Sequence, residues 1–104
     1  MPVTTLDGHQ IHVNEEGFLT DPTEWDETLA SVLAAQIGIA LTDDHWTAIR
    51  FLRKDFDEQG ATATLRRVST RGGIPVKQLF ALFPQKPAKK MAYIAGLPKP
   101  QGCV

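Results

Sequence analysis

Cys103 is the one cysteine in this 104-residue chain, and it stands one place from the end, in Gly102-Cys103-Val104. A single cysteine has no partner for an internal disulfide. Its thiolate can act as nucleophile and leaving group in exchange with another sulfur. Chain ends are usually poorly held, so a sulfur at this position reads either as an incidental exposed thiol or as a reactive group on a tether. The residues before it favour the tether. Gly96 is a natural stop for a helix, because it takes the left-handed conformation that a side chain penalises. Pro98 and Pro100 cannot continue a helix and push their predecessors toward extended geometry. Leu97, Pro98, Lys99 and Pro100 therefore read as a stiff rod and Gly102 as a joint beside the thiol. Counted from Gly96, the sulfur reaches roughly 20–25 Å when the chain is extended. A stiff rod, a free joint and a nucleophile at the tip make a carrier arm.

These residues also carry a family resemblance. Phe83-Pro84, Pro87-Ala88-Lys89 and the run from Ile94 to Val104 resemble the tail of the DsrC/TusE family of sulfur-relay proteins. Upstream, Gly17-Phe18-Leu19 with Trp25, then His45-Trp46, Arg50-Phe51 and Arg53, keep the family's order and spacing. The resemblance implies that Cys103 carries sulfur as a persulfide, so that the chain is a sulfurtransferase of the carrier kind. It also implies a mostly helical (α+β) domain with a helix-turn-helix-like element, a body over about residues 1–95 and a mobile arm over 96–104. DsrC proper has a second cysteine eleven positions before the penultimate one, where this chain has Ala92. The single-cysteine pattern is similar to the TusE-like branch. That branch takes sulfur from a TusBCD/DsrEFH-like donor complex and works with a tRNA thiouridylase in 2-thiolation of the wobble uridine, which brings it near tRNA. A DsrC-like paralogue in sulfur oxidation, or in trafficking associated with dissimilatory sulfite reductase, is the alternative within the family. A monomer is expected, with a disulfide-linked dimer through Cys103 on oxidation.

Other chemistry is thinly represented. His9 and His12 stand three apart in a strand-like segment and so point to opposite faces, which makes them a poor metal pair; no metal and no cofactor are expected. Arg50 and Arg53 lie one turn apart on a helix. They read as a solvated face or as cationic support for the thiolate or the terminal carboxylate of a folded-back arm. Lys99 is the cation nearest the thiol in sequence, opposed by the Val104 carboxylate. Trp25 and Trp46 sit on apolar stripes and read as core. From Thr62 to Phe83, two short helices around Gly72-Gly73, with Arg66, Arg67 and Arg71 nearby, resemble a helix-turn-helix. A DNA-binding regulator is therefore the rival function. Against it, Val76-Lys77-Gln78-Leu79-Phe80 offers a reader helix only Lys77 and Gln78 as polar groups able to reach base edges.

The elements that must position the arm follow from turn and cap signals. Asp7-Gly8, flanked by Val3 to Leu6 and Gln10 to Val13, predicts an N-terminal β-hairpin, and Asn14 to Gly17 a turn. Asp21-Pro22 predicts a helix start whose stripe is Trp25, Leu29, Val32 and Leu33, with Gly38 ending it. Thr42-Asp43-Asp44 opens a second helix, lined by Ile49, Leu52 and Phe56 and stopped by Gly60. A short helix is expected from about Thr62 to Ser69. Another, begun by Pro75, carries the stripe Val76, Leu79, Phe80 and Phe83. A last one runs from Pro87 toward Ile94.

Composition fits one soluble domain: 42% of residues are apolar, an ordinary share for a globular protein, and no apolar run is long enough to span a bilayer. A lone cysteine and an N-terminus without a basic-then-apolar leader point to the cytoplasm, away from any membrane. Charge is unevenly placed. Residues 1–49 hold nine acidic side chains and no Lys or Arg, residues 50–104 hold eleven basic against three acidic, and nothing acidic follows Glu58. Either the halves neutralise one another across the fold, or a basic face is left to meet an acidic protein or tRNA phosphates.

Overall fold

The structure is a computed structural model that describes residues 3–6 and 8–100. An antiparallel hairpin opens it: β1 (Val3–Leu6) pairs with β2 (His9–His12), Val3 opposite His12 and Leu6 opposite His9. Asn14 then closes a tight turn, its Oδ1 accepting from the backbone N–H groups of Glu16 and Phe18.

The expected first helix is interrupted. Asp21 caps a single 3₁₀ turn over Pro22–Glu24, after which Trp25 is extended (φ −82°, ψ 143°). Asp26 then caps afresh, accepting from Leu29 N–H at 2.7 Å, and α1 runs over Glu27–Gln36. Trp25 thus leaves the helical stripe and turns its indole across the molecule.

The second helix, α2 (Asp43–Gln59), starts at Thr42 as expected and stops at Gly60, which is left-handed. The Thr42 N–H donates to Nδ1 of His45 at 3.1 Å. That leaves the proton of this ring on Nε2, which donates to the Leu82 carbonyl at 2.7 Å. The next helix, α3, occupies Leu65–Gly72 rather than 62–69, because Thr64, not Thr62, supplies the cap by accepting from Arg67 N–H. Gly73, at φ +72°, turns the chain through Pro75 into α4 (Val76–Leu82), and Pro87 begins α5 (Pro87–Ile94).

The core gathers around α2. Ala48, Ile49 and Leu52 are fully buried against Leu79, Phe83, Met91, Ile94 and Leu97. A smaller cluster of Ile11, Leu19, Leu29 and Leu33 joins β2 and the turn after it to α1. Asp55, 5% exposed, takes a two-pronged hydrogen bond from Arg67 (Nε to Oδ2 2.9 Å, Nη2 to Oδ1 2.8 Å) that fastens α3 to α2. One stripe is not buried as expected: Leu79 on α4 and Phe83 just after it face the core, whereas Val76 and Phe80 are exposed. None of the described helices is long and apolar enough to cross a membrane.

Candidate functional site

Cys103 and Gly102 lie outside the described residues, so the site is built from the segment that leads to them. Its root is the end of α5. The N–H of Gly96 donates to the Tyr93 carbonyl and that of Leu97 to the Ala92 carbonyl. This pair of bonds closes a helix on a left-handed residue, and Gly96 is that residue at φ +69°.

Two side chains clamp this root. Trp25 donates its Nε1–H to the Ile94 carbonyl at 2.8 Å, and Arg53 donates to the Ala95 carbonyl at 2.7 Å and to the Pro22 carbonyl at 3.0 Å. The guanidinium lies 4.2 Å from the centroid of the Trp25 ring, a stacked cation–π arrangement. Burial lowers the pKa of Arg53 from its ordinary value, with Asp57 acting against the shift. The carbonyls at the end of α5 are the negative pole of that helix, so a cation there is favourably placed. Gly96 fits beneath the ring because it has no Cβ; one added there would stand 2.4 Å from Trp25 Cδ1.

Beyond the root, the segment expected to leave the body at residue 96 lies on it as far as Pro100. Gly96, Leu97 and Pro100 are buried, while Pro98 and Lys99 are exposed. Thr62 donates its hydroxyl to the Pro98 carbonyl at 2.8 Å. Lys99 Nζ reaches Glu16 at 3.4 Å, and Lys89 Nζ meets the same carboxylate oxygen at 3.4 Å. The hydrogen bond from Lys99 holds the Glu16 carboxyl below its ordinary pKa; partial desolvation opposes the shift and Lys89 adds to it. An open cleft of about 390 Å³ lies beside this stretch, lined by Phe56, Thr62, Thr64, Pro98 and Lys99 among others.

Arg50 and Arg53 are held by different partners. Arg50 is exposed, 3.3 Å from Glu27 and 5.6 Å from the Trp46 ring centroid, whereas Arg53 is committed to the root of the tail. His12 and His45 are also engaged separately: His12 with Glu24 at 2.6 Å, His45 with Thr42 and Leu82. Trp46 is partly buried against the core, as expected for it; Trp25 does that and also holds the tail. Sequence reasoning missed three residues here: Trp25 as a clamp, Thr62 as a donor and Glu16 as the counter-ion. Only the left-handed glycine at 96 signals locally that something closely covers the end of α5.

The family model described as "DsrC like protein" matches residues 5–104. The sulfurtransferase TusE of Pectobacterium atrosepticum is 39% identical over 108 aligned residues, covering 95% of this chain and 97% of the relative. The NMR structure of Allochromatium vinosum DsrC superposes with a TM-score of 0.82 at 38% identity, covering 98% of this chain and 97% of that one. The oxidized gamma-subunit of the dissimilatory sulfite reductase (DsrC) from Archaeoglobus fulgidus gives 0.78 at 38% identity, covering 99% and 100%. Nothing in these similarities supports the DNA-binding alternative, and α4 presents Val76 and Phe80 to solvent where a reader helix needs polar groups.

Proposed function

We propose that this chain, which belongs to the DsrC-like protein family, is a sulfur carrier that loads and unloads at Cys103. Its likeness along nearly the whole chain to sulfurtransferases named TusE supports sulfur relay as its function. One observation carries the assignment of the site: the chain's only thiol is at the penultimate position, at the end of a proline-bearing segment whose root is fixed by Trp25, Arg53 and Gly96.

The chemistry balances without a redox partner. The Cys103 thiolate attacks the outer sulfur of a donor's protein persulfide, the donor's S–S bond breaks, and the donor departs as a thiolate. Cys103 then holds the persulfide. An acceptor thiolate attacks its outer sulfur in turn, and Cys103 leaves as a thiolate. With alanine at position 92 and one cysteine in all, the chain has no second thiol of its own with which to expel the cargo. Delivery therefore needs a partner's thiol or an external one.

The donor is a TusBCD/DsrEFH-like complex and the acceptor a tRNA thiouridylase, reached in the cytoplasm by a monomeric carrier; oxidation joins two chains through Cys103. The likeness to DsrC structures keeps a role in sulfur oxidation or sulfite-reductase-associated trafficking as the second reading. The test is intact-mass measurement after incubation with a sulfane sulfur donor. Wild type gains one sulfur atom and Cys103→Ser gains none. Equal gains on both proteins, or none on wild type, remove Cys103 from the reaction.

A further inference from the structure

The carrier chemistry leaves one part of the surface unused. Val76 and Phe80 are 41% and 48% exposed, the only large hydrophobic side chains so exposed among the described residues. Single exposed apolar residues need no explanation. These two stand four apart on α4 and so share one face. Lys77 lies three residues from Phe80 on the same side, and Arg66 and Arg71 are exposed on α3, against which α4 packs.

Helices α3 and α4 carry cations and no acid. Among the described residues Arg66, Arg71 and Lys77 form no ion pair, and the sequence holds no acid after Glu58. Elsewhere the two halves of the chain do neutralise each other, through Arg50–Glu27, Lys89–Glu16 and Lys99–Glu16. Arg66, Arg71 and Lys77 are left over from that pairing, while Arg67 is held by Asp55. An apolar centre within a charged rim is the anatomy of a protein interface.

Resting on the sulfur-carrier reading above, we propose that the outer face of α4, centred on Val76 and Phe80 and rimmed by Arg66, Arg71 and Lys77, is the surface on which the sulfur donor docks through an acidic, partly apolar patch. Charge selects the occupant. A second copy of this chain would set cations against cations. A nucleic acid would satisfy the rim but meet two hydrophobic side chains at the centre. An acceptor that handles tRNA must itself carry a cationic surface for the phosphates, which this face repels. A donor has no such constraint, and its acidity would steer encounter. The position also suits delivery, since α4 packs on α5, whose end roots the tail.

The experiment uses the full-length chain and the purified donor complex encoded by the same genome, with binding followed by biolayer interferometry and loading followed by intact mass, using inorganic polysulfide as a small donor. Phe80→Asp is expected to weaken donor binding by about tenfold or more, as truncation of an anchor residue does. The double variant Arg71→Glu/Lys77→Glu is expected to slow association and flatten its salt dependence. Both should load from polysulfide as wild type does, because neither touches the thiol segment. Cys103→Ser should bind the donor normally and take no sulfur. Where Phe80→Asp fails to give a wild-type circular dichroism spectrum, the charge-reversal variant decides. Wild-type donor affinity in both variants, or no donor binding by a wild type that loads from polysulfide, overturns the proposal and leaves the carrier reading standing. A wild type that takes sulfur from neither source overturns the carrier reading itself. Tight binding of tRNA or duplex DNA that disappears in the same variants assigns the face to nucleic acid and overturns the proposal as well.

Discussion

Substituting Gly96 by alanine separates the two demands that the root of the tail places on one residue. The first is backbone conformation: a left-handed residue with a Cβ costs about 1–2 kcal/mol. The second is space, since a Cβ at 96 would stand 2.4 Å from Trp25 Cδ1 and 2.8 Å from both Cβ and Cγ of that residue. These atoms are not the loose end of a side chain. The ring is held by its bond to the Ile94 carbonyl and by Arg53 above it, so relief requires moving the clamp or the end of α5. Forcing extra volume into a packed site costs about 1–3 kcal/mol, which brings the expected total near 3 kcal/mol. For a domain of this size that lowers Tm by roughly 10–20 °C. Gly60 supplies the control. It has φ +74° but nothing within 4 Å of an added Cβ, so Gly60→Ala meets only the conformational cost, about 1–2 kcal/mol. Thermal unfolding by circular dichroism and by tryptophan fluorescence reads both variants. Gly96→Ala should lose clearly more than Gly60→Ala and should change the emission of Trp25. Equal losses with unchanged emission would mean that the indole does not clamp the tail.

Two further outcomes follow from the charged groups. Arg67→Ala should destabilise the fold more than Asp55→Ala, because the first strands a carboxylate that is 5% exposed and the second leaves an arginine 34% exposed and within reach of water; urea unfolding of the two variants gives the order, and the reverse order refutes it. Glu16 has a lowered pKa in the folded state, so its hold on Lys99 is fully present above its ordinary value of 4.5 and is lost as pH falls through the lowered one. The Lys99 side-chain resonances should shift across that acid range in wild type and not in Glu16→Gln, and added salt should weaken the contact.

Local chemistry made much of the framework legible in the sequence. Thr42, Gly60, Pro87 and Gly96 each begin or end a helix through their own backbone or side-chain preferences, and each does so in the structure. What failed was reading where an apolar stripe points. Trp25 fits the helical spacing of Leu29 and Leu33, yet its indole bonds a carbonyl 69 positions on, and Asp26 supplies a second cap to restart the helix. An acid in a first turn looks the same whether it caps or merely favours the dipole, so the interruption was hidden. On α4 the spacing of Val76, Leu79, Phe80 and Phe83 is consistent with one face, but a seven-residue helix with neighbours on one side buries only part of such a set. Glu16 and Lys99 are 83 residues apart, and no local pattern announces a pair of that kind.

The docked tail changes the mechanical picture of delivery. Counted from Pro100, the last described residue, three residues carry the Cys103 sulfur at most roughly 10 Å, about half the reach available from Gly96. Reaching deep into a partner therefore requires lifting residues 97–100. The polar ties there are one hydroxyl bond, Thr62 to Pro98, and one exposed ion pair, Lys99 to Glu16, and exposed pairs hold weakly. Leu97 is different: it is 1% exposed, and withdrawing a leucine side chain from such a site costs about 1.5–3 kcal/mol. A partner that offers an apolar slot for Leu97 offsets that cost, and one that does not meets only the short arm. The clamp of Trp25 and Arg53 on the end of α5 lies before that segment, so lifting residues 97–100 need not break either of its bonds to the Ile94 and Ala95 carbonyls.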